Sequence, residues 1–253
     1  MGMGSGQGTG PTGARQPCAI LSSVCSRYFL DADGNVIAYT FNVPVHDRIR
    51  KRFNIAPTQE APVVRAGEDG AREVAMLRWG LVPSWSKDLA IGNRMINARS
   101  ETVTEKPSFR SAFRSRRCVV PASGFFEWKG DPGHKQAFAI TAEDRPLLAL
   151  AGLWERWHDR TRPEAPPVES FAILTTEANE AVAAVHDRMP VILPADRVED
   201  WLAAAPGEAL ALLQPYAGAL RVRAISKLVG NPRNDTPEVL GDASPITRAR
   251  PGL

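Results

Sequence analysis

Between residues 74 and 225 the apolar residues fall in seven short runs, the longest of them Leu147–Leu153. Runs this short fit strands better than helices, which need ten or more residues of 3.6-residue periodicity. The runs are Val74–Leu77, Cys118–Pro121, Phe125–Trp128, Phe138–Ile140, Leu147–Leu153, Phe171–Leu174 and Arg221–Ile225. In the third, alternation puts Phe125 and Glu127 on one face and Phe126 and Trp128 on the other. Helices are predicted at Thr176–Val185, capped by Thr175 or Thr176, and at Asp196–Ala204, capped by Asp196. A turn-rich helix is predicted at Leu210–Leu213. Asn42–Phe53 reads as a loop leading into a short helix, followed by an extended Asn54–Thr58. Turn chemistry marks Gly130–Gly133 and Arg162–Val168. The pattern is α+β, rich in strands, with no internal repeat.

The interior has no long linker, so residues 25–232 read as one domain. The two ends differ. Met1–Gly13 is mostly glycine with serine, threonine and proline, which cannot bury a core. Residues 1–23 are therefore expected to be a disordered leader, and 233–253 a loosely ordered tail. Val24 stands directly before Cys25. A GTG codon is read as methionine at initiation and as valine internally. Val24 is accordingly the expected start, and removal of its methionine exposes Cys25 as the first residue.

The net charge of +3 permits an acidic partner without demanding one. Two basic clusters, Arg48–Arg52 and Arg110–Arg117, can neutralise phosphates, although a solvated helix face is the commoner fate of such runs. The three cysteines, Cys18, Cys25 and Cys118, form no Cys-x-x-Cys pair. This argues against a disulfide framework and a thiolate zinc site. The histidines show no ligand spacing, and no apolar stretch approaches membrane-spanning length. The expectation at this point is a cytoplasmic, monomeric protein without metal or cofactor.

Six segments set reactive or aromatic groups beside turn residues. They are Cys25-Ser26-Arg27-Tyr28, Asn54–Gln59, Arg78–Trp85, Ile96–Thr102, Gly124–Trp128 and His186–Pro190. In this order they resemble the SRAP family of SOS response-associated peptidases, or abasic-site processing proteins. The resemblance runs from about Cys25 to about Pro232. It implies a β-rich fold with a barrel-like sheet core, flanking helices and a basic groove for single-stranded DNA. It also implies a catalytic cysteine at the mature N-terminus. The sequence departs from the family in having Ser26 where glycine is usual.

By this resemblance Cys25, Asn97, Glu127 and His186 are the expected catalytic residues. Glu127 assists attack by Cys25, His186 protonates the opening sugar ring, and Asn97 orients the amine or a sugar hydroxyl. Arg27, Arg99 and Arg188 are expected on phosphates, and Trp79, Trp85 and Pro57 along the groove. Each has a plainer reading from the residues alone. Cys25 serves equally as a small core residue, Glu127 as a salt-bridged strand residue, and His186 as a helix cap. Asn97 suits a turn, the arginines suit surface ion pairs, and the tryptophans suit the core. Cys118 reads as packing. The implied activity is covalent capture of abasic sites in single-stranded DNA through a thiazolidine, with lyase-like and self-processing peptidase activity. The competing readings are a thiol peptidase acting on proteins and a non-catalytic single-stranded DNA-binding module.

Overall fold

The computed structural model describes residues 25–243. The expected leader, Val24, Cys18 and the last ten residues of the tail lie outside the described residues.

Two sheets share one interior. The chain enters through β1 (Tyr28–Leu30), α1 (Gly34–Phe41), β2 (Arg52–Ile55), β3 (Glu60–Ala66), β4 (Arg72–Trp79) and β5 (Asn97–Arg99). It continues through α2 (Arg110–Ser115), β6 (Arg117–Ala122), β7 (Gly124–Lys129), β8 (Gln136–Ala142), β9 (Leu148–Trp157) and β10 (Val168–Glu177). It ends through α3 (Glu180–Ala183), β11 (Arg188–Pro190), β12 (Ile192–Leu193), α4 (Val198–Ala203), α5 (Pro206–Ala211) and β13 (Leu220–Ile225).

Strands β10, β4, β3, β6 and β9 follow one another, and β9 pairs back onto β10, closing a five-stranded barrel. Closure removes the unpaired edges that an open sheet leaves exposed. Full burial explains the unbroken apolar run in β9 and the wholly buried β6. The second sheet is antiparallel, in the order β13, β8, β7, β1, β2. Its β7 alternates as the sequence requires. Phe125 joins the main core, while Phe126 packs with Phe29, Phe53, Ile225, Val229 and Val239 on the other face. Gly124 lets β1 and β8 approach here, since a Cβ would lie 2.5 Å from the Ile140 carbonyl and 2.6 Å from the Phe29 ring.

All seven predicted strands are present, most of them longer than their apolar run. The helices are placed less well. The predicted short helix within Asn42–Phe53 is absent. A helix instead precedes it at α1, where the Asp33 side chain accepts from the Asn35 and Val36 N–H groups. The predicted Thr176–Val185 helix shrinks to the single turn of α3, capped by Asn179, because β10 runs on to Glu177. Asp196 does not cap α4 but sits in a 3-10 turn, Ala195–Arg197, ahead of it.

The first part of the expected loose tail is docked. Val239 is fully buried, and Asp235 accepts from the Phe53 and Asn54 N–H groups and pairs with Arg52. Asn54, itself fully buried, directs its amide at the carbonyls of Val229, Asn231 and Asn234, each at 3.0 Å. The Asn54→Ala variant strands those carbonyls and should lose about 2–3 kcal/mol. Urea unfolding checks this; an unchanged midpoint would remove Asn54 as the clasp between β2 and this segment.

Candidate functional site

The site gathers where β1 begins, beside β7. Cys25 is fully buried, and its N–H donates to Glu127 Oε1 at 2.6 Å. Its backbone is left-handed, with φ of 44°. Glu127 projects from the same face of β7 as Phe125 and is 2% exposed. Burial pushes its carboxyl up to about 8, against the pull of the Cys25 N–H; Asp187 adds to the rise and Lys135 opposes it. Burial also raises the Cys25 thiol, and the Glu127 charge adds to that. In this chain, where Cys25 follows another residue, the sulfur is therefore held as a neutral thiol beside a carboxyl that can take or give a proton near neutrality.

Asn97 opens β5, which runs parallel to β10 and pairs with Ile173–Thr175. Its Nδ2 points to the Cys25 carbonyl at 3.5 Å, a long hydrogen bond. His186 follows α3, its N–H returning to the Val182 carbonyl. The Asp187 charge raises both His186 and Glu127, and the Lys135 charge lowers both.

A helix C-terminus favours a protonated ring, and the Arg188 charge opposes it. Burial instead lowers His186, more than the Asp187 charge raises it, and one helical turn carries little dipole. His186 Nδ1 accepts the Arg188 N–H at 3.1 Å, so the neutral ring carries its proton on Nε2. The nearby Asp187 carboxylate, at 2.8 Å, pairs with the ring only when Nδ1 is protonated.

The expected DNA-contacting residues divide. Arg27 is half-buried, donates to the Val229 carbonyl at 3.3 Å, and has no carboxylate partner among the described residues. Burial lowers its pKa. A cation held this way gains from an incoming anion. Arg99 is exposed at the end of β5, and Pro57 is half-buried. Trp85 is 52% exposed, with its indole N–H directed to the Pro107 carbonyl.

Arg188, by contrast, forks onto both oxygens of Glu101 and also donates to the Thr175 carbonyl, joining β11 to the Ser100–Thr102 turn. Trp79 is fully buried, donates to the Ile96 carbonyl and packs against Tyr28 and Phe171, so neither ring face is open to a base. It is a core ring rather than a groove wall.

Neither basic cluster is simply the solvated helix face that its charge suggests: Arg48–Arg52 lies outside any helix, and most of its charges, with those of Arg116 and Arg117, are engaged within the protein. Arg48 pairs with Glu60, Lys51 with Asp31, Arg52 with Asp235 and Arg116 with Glu155. Arg117 donates to the carbonyls of Phe113, Trp201 and Ala204, closing the C-terminal ends of α2 and α4. Cys118 is buried in β6 opposite Gly152, as packing requires.

Residues 24–232 match the family described as SOS response associated peptidase (SRAP). The abasic site processing protein YoqW of Bacillus subtilis is 39% identical over 226 residues, covering 86% of this chain and 99% of that protein. The abasic site processing protein HMCES of Gallus gallus is 34% identical and covers 76% of this chain and 66% of its own length. A crystal structure of a Bacteroides thetaiotaomicron protein superposes with a TM-score of 0.75 at 25% identity, covering 87% of this chain and all of that one. Matched by the family over residues 24–232 and by these relatives over most of its length, the chain belongs to the SOS response associated peptidase (SRAP) family.

Proposed function

We propose that this protein captures abasic sites in single-stranded DNA by covalent bonding to Cys25 once that residue is the first of the chain. The observation that supports this most directly is the 2.6 Å contact between the Cys25 nitrogen and Glu127. A carboxylate at that point is placed to take a proton from an α-ammonium, whose ordinary pKa of about 7.7–8.0 leaves much of it charged at neutrality.

The chemistry balances without a cofactor. The free amine adds to the C1 aldehyde of the ring-opened deoxyribose, and loss of water leaves an imine. The Cys25 sulfur then adds to the imine carbon, its proton passing to nitrogen, and a five-membered thiazolidine results. Glu127 relays the protons. His186, neutral with its proton on Nε2, is suited to donate to the sugar ring oxygen as the ring opens. Asn97, whose Nδ2 points to the Cys25 carbonyl, helps orient the residue. Elimination from the imine supplies the lyase-like activity. Hydrolysis of the bond ahead of Cys25, with the same Glu127, supplies the self-processing. An internal cysteine cannot follow this path, because its nitrogen is an amide.

The test is a denaturing gel of protein beginning at Cys25, incubated with a single strand carrying one abasic site. A heat-resistant shifted band that Cys25→Ala lacks is expected. Binding with no covalent band would leave only a DNA-binding module, and cleavage of unrelated peptides would favour a protein-directed thiol peptidase.

Phosphate contacts are assigned to Arg27 and Arg99, with Trp85 and Pro57 flanking the strand. The Arg99→Ala variant should weaken binding alike across sequences and lower the slope of log affinity against log salt by about 0.7, one phosphate on a single strand. Fluorescence anisotropy over a salt series measures it; an unaltered slope would take Arg99 off the phosphate path.

A further inference from the structure

Among the described residues three non-glycine positions have positive φ: Cys25 at 44°, Asn42 at 51° and Thr58 at 73°. Asn42 ends α1, an ordinary place for asparagine. Thr58 has no such excuse, since a β-branched residue in this region is a true outlier. It lies in the turn Ala56-Pro57-Thr58-Gln59, closed by the Gln59 N–H on the Ala56 carbonyl at 3.3 Å. Proline at the first central position and positive φ at the second make the pattern of a type II turn, whose second central position favours glycine.

The surrounding structure holds the strained residue in place. The Thr58 N–H donates to the Trp79 carbonyl at 2.8 Å, and the Trp79 N–H returns to the Gln59 carbonyl at 2.9 Å. The Gln59 side-chain oxygen accepts from the Ala56 N–H and from Arg52. None of these bonds uses the Thr58 side chain, and the residue is exposed. A glycine would keep every one of them and remove the strain.

The place of the turn suggests what the side chain is for. Strands β1 and β2 are antiparallel, with Tyr28 opposite Ile55. β2 ends at Ile55, so the turn that follows it leaves the sheet at the same end at which the chain enters β1 from Cys25. Trp79, which receives the Thr58 N–H, packs edge-on against Tyr28 with ring centroids 5.2 Å apart. Strain retained at a functional edge by bonds that do not need the strained side chain is the mark of a side chain kept for use.

We propose that Thr58 is a substrate-contacting residue, its hydroxyl bonding a sugar or phosphate oxygen of the strand beside the abasic position. A hydroxyl offers one donor and two acceptor sites, which suits either oxygen. This rests on the reading of the site as one for single-stranded DNA.

The test uses the full chain and a single strand containing a tetrahydrofuran residue, an abasic analogue with no aldehyde, so binding is read apart from bond formation. Thr58→Gly should raise the melting temperature by about 2–4 °C, as relief of strain in a protein of this size would. It should nevertheless bind the probe about tenfold more weakly, for loss of one hydrogen bond to a charged group. Thr58→Ser keeps the hydroxyl and should bind within about twofold of wild type on the same ground. Unchanged probe binding by Thr58→Gly overturns the contact. No gain in melting temperature overturns the strain argument, and Thr58→Ser binding as weakly as Thr58→Gly overturns the role of the hydroxyl. If the wild-type chain itself fails to bind the probe, the DNA reading of the whole site falls first.

Discussion

Protein beginning at Cys25 is expected to form a heat-stable adduct with an abasic single strand, and the same protein with one residue left ahead of Cys25 is expected to form none. The difference is chemical rather than steric. With any residue in front, the Cys25 nitrogen is an amide, whose lone pair is delocalised into its carbonyl and does not attack an aldehyde. The contact to Glu127 survives either way, because an amide N–H and an ammonium can both donate to that carboxylate. The nucleophile is therefore switched by covalent structure while its surroundings stay in place. Cys25→Ser, placed first in the chain, separates the two halves of the reaction. It retains the amine and should yield an adduct only when borohydride traps the imine, since the hydroxyl closes no stable ring. Mass spectrometry of the adducts distinguishes these cases. A full yield of adduct from the extended protein would show that sulfur alone attacks, and the ring-forming path would be wrong.

Much of the fold was legible because strand periodicity is local. β4, β6, β7, β8, β9, β10 and β13 each carry their own apolar run and announce themselves one by one, whereas β1 and β3, buried as well, are not among the predicted strands. Closure of the barrel was not legible, because the β9–β10 pairing that completes the ring is a property of the assembled sheet. The short helices were misplaced for a related reason. A helix of one turn has too few residues for its periodicity to stand out, and strand β10 overrode the helical signal at Thr176.

The site divides along the same line. Cys25, Asn97 and Glu127 come from separate elements, and their order along the chain resembles that of a known family. Their hydrogen bonds needed coordinates. Residue type alone could not tell Trp79 from Trp85, since whether a tryptophan faces the core or solvent depends on what packs over it. Nor could it show that Arg188 is occupied by Glu101, 87 residues away. Thr58 stood inside one of the recognised segments, beside Pro57. Its signal is a β-branched residue where a turn wants glycine, and that is readable only once the turn is known.

Glu127 should make the protein lose stability as pH rises from about 4.5 to about 8, and Glu127→Gln should abolish that slope. The sign follows from proton counting. Folded, the carboxyl holds its proton up to about 8, because burial penalises the charged form. Unfolded, it releases the proton near 4.5, its ordinary value. Between those limits the folded state binds more protons, so raising the pH favours unfolding. A shift of this size corresponds to a few kcal/mol in order of magnitude. Glutamine has nearly the same shape and no charge to bury, so the variant should be the more stable protein at pH 8. It should also be the poorer reagent, forming adduct about 10²–10⁴-fold more slowly for want of a proton relay. The form beginning at Cys25 adds a further expectation. Its ammonium would stand where the amide stands now, and a positive charge at that distance pulls the carboxyl down and shortens the window over which stability falls. Urea unfolding at half-unit steps from pH 5 to pH 8 on the extended protein, the Cys25-first protein and Glu127→Gln reads all of this. If the extended protein and Glu127→Gln lose stability in parallel, the slope arises elsewhere, and Glu127 is then ionised throughout the range in which it has been assigned a proton to give.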